Sequence, residues 1–280
     1  MTPGLPTYRI HGLGLAASVA VGAATLLYLP GALFPIVGLS VAQTAAARHD
    51  RDLVAAAALG EALLTLPYLL ALLVAAVLVI IWTWRVRKNI EAFPGALPSL
   101  NPGWAIAGWL VPFANFVVPA RMLANVARDS LWRARTPALV GLWWTAWLLF
   151  NLADNVVARI DDRRYASLTV LPRNDAEFAT YVRYYQETIG PRLIPTLACL
   201  VAGVSLIVLI RRISAAQRDR LSKALPGWPA HPGWPVPGMQ VPPVPPASVQ
   251  PVTGWSPQVA ASESVASPPE TRPSGGTIGA

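Results

Sequence analysis

Three polar residues inside an otherwise apolar run carry the first chemical suggestion. Asn151, Asp154 and Asn155 stand three and four residues apart, so a helix puts two amides and a carboxyl on one face, with Arg159 one turn beyond. An ionisable group within a membrane span marks an ion, proton or solute path by default. Amides at such positions also bridge neighbouring helices, which is the plainer use, and Asp154 lies within a turn of the expected aqueous boundary. A fourth candidate, Asn115, sits between Pro112 and Pro119 in the run GWAIAGWLVPFANFVVP. Prolines there interrupt backbone hydrogen bonding, and irregular backbone survives at membrane depth only where protein or a water-filled cavity satisfies it. Asn115, Asn151, Asp154 and Asn155 therefore form the candidate polar membrane site.

Other chemistry is hard to find. The sequence holds no H-E-x-x-H, G-x-S-x-G, G-x-x-x-x-G-K-[ST] or C-x-x-C string. The paired acids Asp161 and Asp162 read as solvated loop charges. His11, His49 and His231 have no metal-ligand spacing. A single cysteine, Cys199, excludes an intramolecular disulfide and reads as a small packing residue. No catalytic residue, cofactor or metal is expected.

The elements that must position these residues are written in the composition. Of the 280 residues 54% are hydrophobic and only 13% charged, against about 25% charge in a soluble domain. With a mean hydropathy of +0.45, much of the surface must face lipid. The net charge of +8 sits beside apolar runs, the pattern of topology signals and of attraction to anionic headgroups rather than to nucleic acid.

Four runs are candidates for spans: Leu13–Leu33, bent at its exit by Pro30 and Pro35, Ala62–Trp84, Ala138–Val157 and Leu193–Ile210. Ala45-Ala46-Ala47 imitates a signal-peptide cleavage site, but the apolar run before it far exceeds an h-region of about 7–15 residues, so a retained first span is expected. Residues 41–60 read as a short loop. Residues 158–192 read as a polar outer loop rich in aromatics, with a helix over Asp175–Thr188. Placing both termini in the cytoplasm puts 14 of the 22 Lys and Arg residues inside, as the positive-inside rule favours.

Arg85, Arg87 and Lys88 precede the tryptophan-proline run, and Arg121, Arg128, Arg133 and Arg135 follow it. Both flanks then want the cytoplasm, so the run is read as interfacial or re-entrant, with a fifth span as its rival. The segment from Arg121 to Arg135 is amphipathic. Met122, Leu123, Val126, Ala127, Ser130 and Leu131 share one stripe, which suits either a helix lying at anionic headgroups or one packed on the bundle. Beyond Leu225 prolines dominate, and Pro226-Gly-Trp-Pro229 recurs as Pro232-Gly-Trp-Pro235. Such chain prefers polyproline II, a ligand for proline-reading domains, and the Ser/Ala/Gly-rich end is expected to be disordered.

Trp84-Arg85, Asn89, then Trp104, Gly108, Trp109, Pro112 and Asn115 of GWAIAGWLVPFAN, Pro119 and the Trp143-Trp144/Asn151 run resemble the family called domain of unknown function 4328. The resemblance covers about residues 60–215. It implies a bacterial multi-span membrane protein, often with a proline- and glycine-rich cytoplasmic extension, and no particular mechanism. It does not account for residues 158–192.

The expected architecture is an all-α polytopic membrane protein. It has about four transmembrane helices, one interfacial or re-entrant Trp/Pro segment and a disordered tail. Residues 1–60 form the first span and outer loop, 61–215 the membrane core and 216–280 the cytoplasmic tail. The expected role is a non-enzymatic module of the inner (plasma) membrane that recruits a proline-motif-binding partner or senses the bilayer. Arg121, Arg128, Arg133 and Arg135 then meet anionic headgroups, and no nucleic acid is bound. The alternative is a small-solute or ion transporter or channel using Asn115, Asn151, Asp154 and Asn155.

Overall fold

The computed structural model describes residues 7–93, 99–168 and 171–224. Among these residues the regular elements are all helical: α1 (His11–Arg48), α2 (Arg51–Ile90), α3 (Trp104–Leu110), α4 (Val118–Leu131), α5 (Ala138–Ala166) and α6 (Asp175–Ala224), with a 3-10 turn at Ala114–Phe116. α1, α2 and α6 are each long and apolar enough to cross a membrane, the mark of a membrane protein. Their 38, 40 and 50 residues give about 57, 60 and 75 Å at 1.5 Å per residue. That is roughly twice the ~30 Å hydrocarbon layer, so each also has a long stretch fit for water.

The extra length corrects the expected loop at residues 41–60. The sequence there is alanine-rich, and alanine is the best helix former, so α1 and α2 run into a turn of two residues. His49 closes α1 in the left-handed region at φ 51°. The Asp50 carboxylate then opens α2 by accepting from the backbone N–H groups of Asp52 at 3.0 Å and Leu53 at 3.3 Å. The expected outer loop is likewise mostly helix. α5 continues to Ala166, and α6 starts at a side-chain cap in which the Glu177 N–H donates to Asn174 Oδ1 at 2.9 Å while Glu177 Oε2 accepts from Arg173 N at 2.7 Å. Pro30, Pro35, Pro67, Pro191 and Pro195 all lie inside helices and end none of them.

α1 packs along both α2 and α6, and α6 packs along α5, while α2 and α5 make no extended contact. Small residues allow the close approach. A Cβ at Gly203 would lie 2.3 Å from Thr25 Oγ1, and one at Gly38 would lie 2.5 Å from the Tyr185 ring. At the end carrying Tyr8, here the base, a buried polar network ties the chain together. Asn89 accepts from Tyr8 N at 2.7 Å and donates to Tyr8 O at 3.0 Å and to Gln217 Oε1 at 3.2 Å. Gln217 donates to Val86 O at 3.0 Å and to Ser130 Oγ at 2.8 Å. At the opposite, hairpin end, Ala42, Ala45, Val54, Phe178, Tyr181, Tyr184 and Tyr185 make a separate cluster.

The tryptophan-proline run is broken into short pieces. α3 has seven residues, about 10 Å long. Phe113 is exposed with φ 64°, and α4 follows the 3-10 turn. α4 buries Pro119, Met122, Leu123, Val126, Ala127 and Ser130, so its apolar stripe packs on the bundle. Arg121 faces outward, and Arg133 and Arg135 are exposed beyond the helix end at Trp132. α6 runs to Ala224, past the expected tail boundary at 216. The proline-rich repeats lie outside the described residues.

Candidate functional site

Two helices that flank a pair without meeting leave a groove. α1 and α6 form its floor, α2 and α5 its walls, and the groove holds a cavity of about 360 Å³. Val21, Ala24 and Thr25 of α1 and Cys199, Ala202, Gly203 and Leu206 of α6 line the floor. Leu72, Ala75, Ala76 and Val79 line one wall, and Trp143, Trp147 and Phe150 the other. Trp109 of α3 closes the base, its ring 6.4 Å from that of Trp147. Two of its polar side chains bond back to their own helices. Thr25 donates to Val21 O at 2.9 Å and Asn151 to Trp147 O at 2.8 Å. An apolar lining remains.

Toward the hairpin end a second cavity of about 220 Å³ shares Tyr68 with the first and is lined by Tyr28, Glu61, Thr65, Asp154, Asp161 and Arg192. The Tyr28 ring stands edge-on to Tyr68 at 5.3 Å and to Phe150 at 5.1 Å. Its hydroxyl donates to Asp154 Oδ1 at 2.7 Å. Arg192 of α6 ties three other helices. Its Nε meets Asp161 Oδ2 on α5 at 3.0 Å, and its Nη1 meets Glu61 Oε1 on α2 at 2.9 Å and Gly31 O on α1 at 3.2 Å. Burial pushes the Asp161 carboxyl above its ordinary value, against the pull of Arg192. Burial works to lower the Arg192 guanidinium, but Glu61 and Asp161 together hold it above its usual value. Asp161 Oδ1 is buried and has no hydrogen-bond partner.

The sequence candidates scatter. Asn151 lines the deep cavity and Asp154 the polar one. Asn155 is exposed and donates to Asn151 O at 2.8 Å, and Asn115 lies in the 3-10 turn and lines neither cavity. Asp161 is no solvated loop charge, because α5 carries it into contact with Arg192. Tyr28, Tyr68, Glu61 and Arg192 are not among the sequence candidates. One signal was available for Asp161. It follows Asp154 by seven residues, two helical turns, and so shares its face.

Most of the tryptophan motif supports the base. Trp84 packs against Tyr8 with centroids 5.3 Å apart, Asn89 is fully buried in the network and Pro119 is buried. Gly108 lets α4 approach α3, since a Cβ there would lie 2.5 Å from Val118 Cγ1. Trp104 and Pro112 are exposed, and Arg85 is half-buried. Residues 45–215 match the family described as Domain of unknown function (DUF4328). No curated protein and no solved structure matches the chain.

Proposed function

The chain belongs to the DUF4328 family, and on that premise we propose that it is a non-enzymatic integral membrane module that engages a bilayer lipid in the groove between α2 and α5. The observation that carries this reading is the cavity itself. Its ~360 Å³ falls at the lower end of ligand-site volumes, about 300–1,000 Å³. Within lipid there is no hydrophobic drive to close such a gap, because acyl chains are as apolar as its walls. A void forfeits dispersion contacts, so a chain from the bilayer fills it.

Depth supports the assignment. Along α1, Gly14 abuts Ser214 and Trp82, and Gly31 O meets Arg192. The 17 residues between them rise about 26 Å, close to the ~30 Å hydrocarbon layer. α1, α2, α5 and α6 then make four spans. α5 reads as the weakest because its tryptophans and Asn151, Asp154 and Asn155 dilute its apolar run. Both flanks of the tryptophan-proline segment are tied to the base, which fits a dip without a crossing. Asn125 donates to Ser99, Arg87 Nε to Leu100 O at 2.8 Å, and Gln217 to Ser130. The basic residues around that base favour a cytoplasmic orientation in the plasma membrane, with both termini inside. The proline-rich tail, read from sequence, is the candidate recruiter of a partner. A transport path would need Asn115, Asn151, Asp154 and Asn155 to converge, and two of them stand apart from the cavities, so the lipid reading is preferred.

Native mass spectrometry of the full chain released from nanodiscs tests it. The wild type is expected to retain a diacyl lipid. Ala76→Phe fills the groove from an exposed wall position and is expected to lose most of that lipid while staying folded. Equal retention in both proteins contradicts the reading.

A further inference from the structure

We infer that the polar cavity at the hairpin end is a primary-ammonium site, the headgroup pocket for a lipid whose chain lies in the groove; this rests on the groove reading above. Three carboxyl groups, Glu61, Asp154 and Asp161, and one guanidinium, Arg192, line a single cavity. Formal charge there is in excess on the acid side. The independent observation is Asp161. Its side chain is 8% exposed, it lines the cavity, and its Oδ1 has no hydrogen-bond partner. A buried carboxylate oxygen without a donor is costly, and the residue that carries it borders the cavity.

The chemistry of the donor follows from the lining. Tyr28 already spends its proton on Asp154, and Arg192 is engaged with Asp161 Oδ2, Glu61 and Gly31 O. No described side chain donates to Asp161 Oδ1, and a ligand in the cavity can. No group of three or more His, Cys, Asp or Glu residues among those described could hold a metal ion. A primary ammonium brings a positive charge and three N–H donors on one compact atom. A trimethylammonium brings the charge and could rest on the tyrosine faces, yet it has no N–H for Asp161 Oδ1. A phosphate or glycerol headgroup without an amine meets like charge or no charge complement at all. Position agrees with a bilayer source. The acids lie at the polar end of the bundle, and the two cavities share Tyr68, so a headgroup seated here leaves its chain pointing to mid-depth.

The same full-length protein tests this in nanodiscs holding equal amounts of phosphatidylethanolamine, phosphatidylcholine and phosphatidylglycerol with matched chains, read by native mass spectrometry. The wild type is expected to retain the ethanolamine lipid about tenfold over either of the others, a gap of ~1.4 kcal/mol. Asp161→Asn, which keeps the shape and removes the charge, is expected to bring the three within about twofold. A wild type that retains all three equally, or favours phosphatidylglycerol, overturns the ammonium assignment and leaves the groove reading intact. A wild type that retains no lipid at all fails the groove reading instead. These wild-type outcomes decide the matter even if the variant does not fold. Excess water-soluble glycerophosphoethanolamine distinguishes the sources. Displacement of the lipid supports a site that also reads free amines, and retention supports one that draws its amine from the bilayer.

Discussion

Arg192→Met is the most informative perturbation of the bundle, because one guanidinium holds α6 against α5, α2 and α1. Methionine keeps the apolar stem and removes the charge. Breaking a buried ion pair from one side costs about 3–5 kcal/mol, since it strands the remaining charge. The Asp161 side chain is only 8% exposed and feels nearly all of that penalty. Glu61 is 25% exposed and is partly screened, so the lower end, about 3 kcal/mol, is expected. For a chain of this size that corresponds to a fall in Tm of roughly 6–12 °C.

The loss should depend on pH with a definite sign. Asp161 is already raised by burial, and Arg192 is what pulls it back. Without Arg192 the folded carboxyl rises further above its unfolded value. The neutral acid is then tolerated at low pH, and stability is lost as pH climbs through the folded value. Thermal unfolding of the full chain in mild detergent at pH 5.5 and pH 8 should therefore show the smaller deficit at pH 5.5. The double variant Asp161→Asn, Arg192→Met should recover part of the deficit at pH 8. A deficit below about 2 °C, or one that grows on acidification, refutes the reasoning.

The network at the base gives a second pair of variants. Gln217→Leu removes the bonds to Val86 O and Ser130 and leaves Asn89 one acceptor short; about 2 kcal/mol of destabilisation is expected from chemical unfolding. Asn89→Leu strips both Tyr8 bonds as well and should cost as much or more. The two together should fall short of the sum by at least about 0.5 kcal/mol because they share a bond, and strict additivity would show that the network does not act as a unit.

Much of the architecture could be read from the letters. Apolar runs and their basic flanks mark the long helices, Pro112 and Asn115 mark the place where the chain stops being α-helical, and Pro119 marks the start of α4. The helices exceed their expected lengths, because polar residues read as loops in the sequence. Residues 41–60 and 158–192 are polar enough for water, yet alanines and the caps at Asp50 and Asn174 keep them helical. Once those stretches are helices, Glu61, Asp161 and Arg192 become neighbours across three of them. Pairs 31 and 131 residues apart leave no periodic trace in a single sequence. Asp154 was legible because it interrupts an apolar run. Its partner Tyr28 was not, since a tyrosine in a span is ordinary until its hydroxyl meets a carboxylate.

Everything assigned to the groove depends on the bundle lying in the bilayer with its base on one side and Arg192 near the other. Single cysteines at Ser99, Ala134 and Ser167, in a Cys199→Ala background, test this in intact cells with a membrane-impermeant thiol reagent. All three are exposed positions. Ser167 is expected to label from outside, and Ser99 and Ala134 only after the membrane is opened. Labelling of Ser99 and Ala134 from opposite sides would make the tryptophan-proline segment a crossing and contradict the account.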